Sequence, residues 1–98
     1  MSFDVDARGS DGAVVTVRGE LDLGNVQRLA EAVAPILEKR PSRLIVDIRE
    51  LRFADSSAIA LWVRWSGAVE EIELRDASPL LRRVVTTMGL ANTLRLTP

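Results

Sequence analysis

Neither cysteine nor histidine occurs among the 98 residues. The missing cysteine excludes a disulfide framework, thiol chemistry and thiolate metal sites. The missing histidine removes the commonest general base and the commonest zinc ligand. An excess of one charge is also lacking: 13 basic and 14 acidic residues leave a net charge of −1. No overall field therefore draws the chain to nucleic acid or to an anionic membrane. No apolar run approaches the roughly 18 residues that suggest a bilayer-spanning helix. Met1-Ser2-Phe3-Asp4 has neither a basic start nor an apolar core, so no signal peptide is predicted. The glycine-rich phosphate loops G-x-G-x-x-G and G-x-x-x-x-G-K-[ST] are absent as well. The expectation is one soluble, cytoplasmic domain over residues 1–98. A chain of this size buries roughly 60–70% of its unfolded surface, enough for a core but not for a deep substrate cavity.

What is present alternates between two periods. Phe3, Val5 and Ala7 alternate with Asp4, Asp6 and Arg8, which predicts a half-exposed strand. Ser10-Asp11-Gly12 is a turn signal, so a second strand, Ala13 to Gly19, is expected to return antiparallel. Asn25 is a candidate cap for a helix to about Lys39, with Val26, Leu29, Ala30, Val33 and Leu37 on one face. Pro35 interrupts that pattern and predicts a kink, because it removes a donor and crowds the preceding turn. Leu44 to Ile48 is the most apolar strand and is expected at the sheet centre. A helix from Ser56 to about Val69 and a strand through Ile72 and Leu74 follow. Ser78-Pro79 opens a last helix that Gly89 stops, and Leu94 to Leu96 form a closing strand.

The expected order is β-β-α-β-α-β-α-β. Four of the five strands carry a clean polar face: Asp4/Asp6, Thr16/Arg18, Glu71/Glu73 and Arg95. Strands covered on both sides read as continuous apolar runs instead. The prediction is therefore an α/β domain with a mixed five-stranded sheet and helices mainly on one face.

Asp55-Ser56-Ser57 lies between an apolar strand and the apolar helical run Ile59 to Trp65. Asp and Ser accept the free N–H groups of a helix's first turn, so the triplet reads as a cap. A serine at the positive end of a helix is equally a place where phosphate is well received. Glu20, Asp22, Asp47 and Asp55 admit a third reading, an acidic cluster for a hard cation or a receiver-like phospho-aspartate pocket. A receiver, however, needs adjacent acids after a first parallel strand and a lysine near the pocket. The only lysine here, Lys39, ends the first helix.

Three segments together carry a family resemblance. Gly19-Glu20-Leu21-Asp22 is similar to the G-E-L-D signature of STAS domains of the anti-sigma-factor-antagonist type. Asp47-Ile48 with Leu51 to Ser57 resembles the strand plus D-S-S/T-G segment, and Ser78-Pro79 through Gly89-Leu90 resembles the closing helix. The resemblance implies a partner-switch protein rather than an enzyme, with no cofactor and no metal. Its partners would be an anti-sigma factor with serine kinase activity and a protein phosphatase. The acceptor maps onto Ser56, the serine directly after the aspartate, with Ser57 the weaker candidate. Glu20, Asp22, Asp55, Ser56, Ser57 and Ala58 would contact the partner. Leu61 and Trp65 continue the flank begun by Ala58 and are expected to be partly exposed as interface anchors, unless neighbouring helices cover them. Two departures stand out. Ala58 replaces the usual glycine, putting a methyl group beside Ser56, and no final helix follows the closing strand. The alternative is a STAS adapter subunit of a transporter or other complex, with no phosphorylation cycle.

Overall fold

The computed structural model describes residues 1–7 and 12–98. Arg8, and the Ser10-Asp11 part of the predicted turn, lie outside the described residues. Three helices and six strands follow one another as β1 (Ser2–Asp6), β2 (Gly12–Leu21), α1 (Val26–Glu38), β3 (Arg43–Asp47), β4 (Leu51–Ala54), α2 (Ser56–Ser66), β5 (Glu71–Arg75), α3 (Pro79–Thr87) and β6 (Arg95–Thr97). The sheet runs β1-β2-β3-β5-β6, so the most apolar strand, β3, is central. Only β1 is antiparallel to its neighbour, which makes the sheet mixed.

The sixth strand corrects the sequence expectation. Leu51–Ala54 is four residues long and alternates too little to stand out from a connection. It forms because β2 does not end at Gly19. There the backbone takes φ +88°, the pairing register shifts, and Glu20 and Leu21 continue as partners of Phe53 and Ala54. Glycine adopts this positive φ without steric cost, which lets β2 keep its pairing with β4 across the shift.

Val15, Val17, Leu44, Val46 and Leu74 are wholly buried on the inner face of the sheet. Register places Arg18, Glu71, Glu73, Arg75 and Arg95 on the opposite face. That face is held by ion pairs: Arg18 meets Asp4 at 2.6 Å and Glu50 at 3.1 Å, and Arg95 pairs with Glu71. Glu73, read from the sequence as solvated, is only 6% exposed. Arg75 at 3.2 Å, Arg43 at 3.5 Å and the donating Thr97 hydroxyl at 3.0 Å surround its carboxylate.

The helices keep their predicted apolar stripes. Val26, Leu29 and Val33 are buried along α1, which runs through Pro35 to Glu38. Asn25 precedes α1 without its side chain capping it. Ser78 does cap α3, accepting the Leu81 N–H at 3.2 Å, and Gly89 follows that helix with φ +75°. α2 ends at Ser66, earlier than expected, because Gly67 supplies its C-cap.

The largest correction concerns α2. Ala58, Ile59, Leu61, Trp62 and Trp65 are all buried, Trp65 to 3% exposure. Contacts with α1, β4 and β5 surround this short helix, so apolar surface is covered on both flanks. Leu61 and Trp65 are core residues and not exposed anchors. Leu61→Ala is expected to cost about 2–5 kcal/mol and Trp65→Ala about 3–5 kcal/mol in urea unfolding. A cost near zero at either position would mean that the side chain lies at the surface.

Candidate functional site

The site is built where the end of β2 meets the start of α2. Asp55 adopts an extended backbone (φ −96°, ψ −173°), the usual N-cap geometry. Its Oδ1 accepts the Ser57 N–H at 2.9 Å, the Ala58 N–H at 3.4 Å and the Ser57 hydroxyl in a short hydrogen bond. Its Oδ2 reaches across to the Leu23 N–H at 3.0 Å. The Asp55 N–H in turn donates to the Leu21 carbonyl at 3.2 Å. One residue thus starts α2 and ties it to the loop before α1.

That loop is braced from within. The Asn25 carboxamide accepts the Asp22 N–H at 3.0 Å and donates to the Glu20 carbonyl at 2.9 Å. Asp22 Oδ1 accepts the Gly24 N–H at 2.9 Å. The predicted cap at Asn25 is therefore a clamp on the turn behind it. In the Gly19-Glu20-Leu21-Asp22 segment, Gly19 makes the bulge, Leu21 fills the core, and Asp22 shapes the turn.

The two serines are not equivalent. The Ser57 hydroxyl is committed to Asp55 and is half-buried. Ser56 is exposed, and its hydroxyl has no hydrogen-bond partner among the described residues. Ala58 is wholly buried, so its methyl points into the core and does not narrow the approach to Ser56. Glu20 is exposed and Asp22 half-buried. Among the described residues, no three acidic side chains come together in a way that would hold a metal ion, so the acidic-cluster reading finds no geometry.

Two features were missed from the sequence. Leu23 is 78% exposed beside Asp55, and Phe53 on β4 is 52% exposed. The signal at Leu23 was an apolar residue between Asp22 and Gly24, within a turn where no core position is available.

The six-stranded mixed sheet, its three helices and the helix-opening Asp-Ser-Ser define a class of small α/β module. The chain belongs to the STAS domain family: the model described as "Mlab, STAS domain" matches residues 5–98. It is 28% identical over 87 residues to the anti-sigma-F factor antagonist RsfB of Mycobacterium tuberculosis, spanning 86% of this chain and 71% of that protein. Its fold superposes on an anti-sigma factor antagonist from Mycobacterium paratuberculosis with a TM-score of 0.87 at 22% identity, over 99% of this chain and 85% of the other. It superposes on the unphosphorylated anti-sigma factor antagonist SpoIIAA at 0.84 and on the phosphorylated Bacillus SpoIIAA at 0.78, each at 22% identity over 99% of this chain. These superpositions cover 89% and 92% of the respective SpoIIAA chains.

The Ser57 hydroxyl, then the Leu23, Ser57 and Ala58 N–H groups, hold the Asp55 carboxyl below the usual carboxylate range, against partial desolvation. A carboxyl with a depressed folded pKa adds stability above its unfolded pKa, about 3.9, and loses it as pH falls through the folded value. Asp55→Asn is therefore expected to melt below wild type at neutral pH, with the gap narrowing under acid. A gap that stays constant down to about pH 2 in thermal melts would show that the charge of Asp55 is immaterial.

Proposed function

We propose that this chain is an anti-sigma factor antagonist that works as a cytoplasmic partner switch. Unmodified, it binds an anti-sigma factor with serine kinase activity; phosphorylated on Ser56, it lets that partner go, and a protein phosphatase resets it. One observation carries the choice of residue. The Ser56 hydroxyl is exposed and unengaged, while the Ser57 hydroxyl beside it is held by Asp55. The likeness to RsfB, an anti-sigma-F factor antagonist, supports the class of partner.

The physics of release is local. Phosphorylation adds about −1.5 to −2 charge and three acceptor oxygens. A helix start often neutralises such a group, but here Asp55 already takes the Ser57, Ala58 and Ile59 N–H groups through its side chain and carbonyl. The new charge would therefore face the partner rather than dock onto its own helix. A penalty of about 2.7 kcal/mol in the interface is enough to weaken binding 100-fold. Leu23, exposed next to Asp55, takes the anchoring role that the buried Leu61 and Trp65 cannot fill. Glu20, Asp22 and Asp55 complete the contact face around it. The module acts by binding, not by catalysis.

Ser56→Ala should leave stability within about 0.5 kcal/mol, since it removes an exposed, unbonded hydroxyl, and should keep partner binding. Ser56→Asp should fold equally well but bind the anti-sigma partner far more weakly. Ser57→Asp should instead destabilise the fold by setting a second carboxylate against Asp55. Calorimetry against the partner and thermal melts separate the three variants. If both position-56 variants bind like wild type, the switch reading fails. Incubation with the kinase and intact-mass measurement tests the modification itself. An unmodified Ser56 would leave the adapter-subunit reading in its place.

A further inference from the structure

We propose that the channel between β4 and α3 is a second docking site, one that takes an acidic amphipathic helix of a protein partner. The docking itself requires no phosphorylation; only its coupling to Ser56 rests on the function proposed above. Four large apolar side chains are conspicuously exposed among the described residues. Three of them, Phe53, Leu80 and Met88, belong to β4 or to α3 and its C-cap. With Leu51, Leu81 and Val84 they border a channel of about 120 Å³ or extend the stripe beside it. Among the described residues β4 pairs only with β2, and none of their strands covers its other edge.

The shape of this surface selects a helix. Leu80, Val84 and Met88 recur every four residues, forming a ridge roughly 12 Å long at 1.5 Å per residue. Ridges along this i±4 row are what the groove of a second helix receives.

The charge selects an acidic partner. Arg52 is the only charged residue lining the channel. Arg83 sits three residues after Leu80 and is therefore its neighbour on the helix surface. Neither arginine has an ion-pair partner among the described residues. A second copy of the chain fits poorly, because a two-fold contact here would bring two such arginines from each copy into one interface with no ion-pair partner of their own.

The place of the channel ties it to the phosphoacceptor. Ala54 lines the channel and stands two residues before Ser56, within about 7 Å along the backbone. A phosphate on Ser56 would put negative charge at the end of a surface that takes an acidic helix. Release then follows from like-charge repulsion, with no change in the fold.

The test uses a fluorescein-labelled four-turn peptide with a leucine stripe flanked by glutamates, and a counterpart with lysine for every glutamate. Fluorescence anisotropy against the whole chain should show the acidic peptide binding about tenfold or more tighter. Phe53→Ser and Leu80→Ser should each weaken it by about tenfold with unchanged melting temperature, since both side chains are exposed. The double variant Arg52→Glu, Arg83→Glu should reverse the preference between the peptides. Absence of binding, equal binding of both peptides, or binding indifferent to positions 53 and 80 overturns the site. A molecular mass that doubles in solution and reverts with Leu80→Ser overturns it too, by making a second copy the occupant. Ser56→Asp in the same titration isolates the coupling. Weaker acidic-peptide binding supports it, and unchanged binding overturns the coupling alone.

Discussion

The carboxylate of Asp55 is the contact on which the functional end of this domain depends. Four hydrogen bonds converge on it, from the Ser57 N–H and hydroxyl, the Ala58 N–H and the Leu23 N–H. Three of these start a helix, and the fourth fastens a loop belonging to a different part of the sequence. A charged acceptor makes each bond stronger than a neutral one would be. Because all four meet at one residue, the position of Ser56 relative to the Leu21–Asn25 turn is fixed by short-range geometry. Removing the carboxylate would loosen both segments together.

Gly19 makes that convergence possible. β2 leaves β3 after Thr16 and by Gly19 is already paired with Leu51 of β4. Across the register shift between Gly19 and Glu20 the pairing with β4 continues and delivers the Leu21 carbonyl to the Asp55 N–H. A side chain at Gly19 would be strained by φ +88° whatever space surrounds it. The segment Gly19 to Asp22 thus reads as a structural joint. Within it Glu20 is exposed and Asp22 half-buried.

Most of the architecture was legible in the sequence because it rests on local periodicity. The alternation of Asp4, Thr16, Arg18, Glu71 and Arg95 with apolar residues gave away a one-sided sheet, and Ser78-Pro79 and Gly89 gave away the limits of α3. What escaped depends on relations between distant segments. β4 has four residues and owes its existence to pairing with a distant part of β2, Gly19 lying 32 residues before its partner Leu51. Periodicity marked Ala58, Leu61 and Trp65 as one apolar flank of α2, but it could not show that other elements close over that flank. An apolar flank looks the same in sequence whether the protein itself or a partner covers it. Among the described residues the large exposed apolar side chains are Leu23, Phe53, Leu80 and Met88, and only the two at α3 fall on a helical stripe. After Asp55, the spacing named both Ser56 and Ser57 as candidate acceptors, and only the hydroxyl geometry separates them.

The burial of α2 bears directly on how a charge at Ser56 can act. Ala58, Ile59, Leu61, Trp62 and Trp65 anchor the helix in the core, so its first turn is a rigid platform. A rigid platform cannot relax to bury or pair a new phosphate. The Ser57, Ala58 and Ile59 N–H groups are occupied by Asp55, and the arginines on the outer sheet face already pair with Asp4, Glu50, Glu71 and Glu73. Modification would then change the surface potential while leaving the fold as it was. In such a design the discrimination between the two states lies with the partner, whose own charge decides whether an added phosphate attracts or repels. An acidic partner surface reads it as repulsion. On the proposed function, the sign of charge beside Ser56, and not any movement of the domain, would be the quantity that sets the switch.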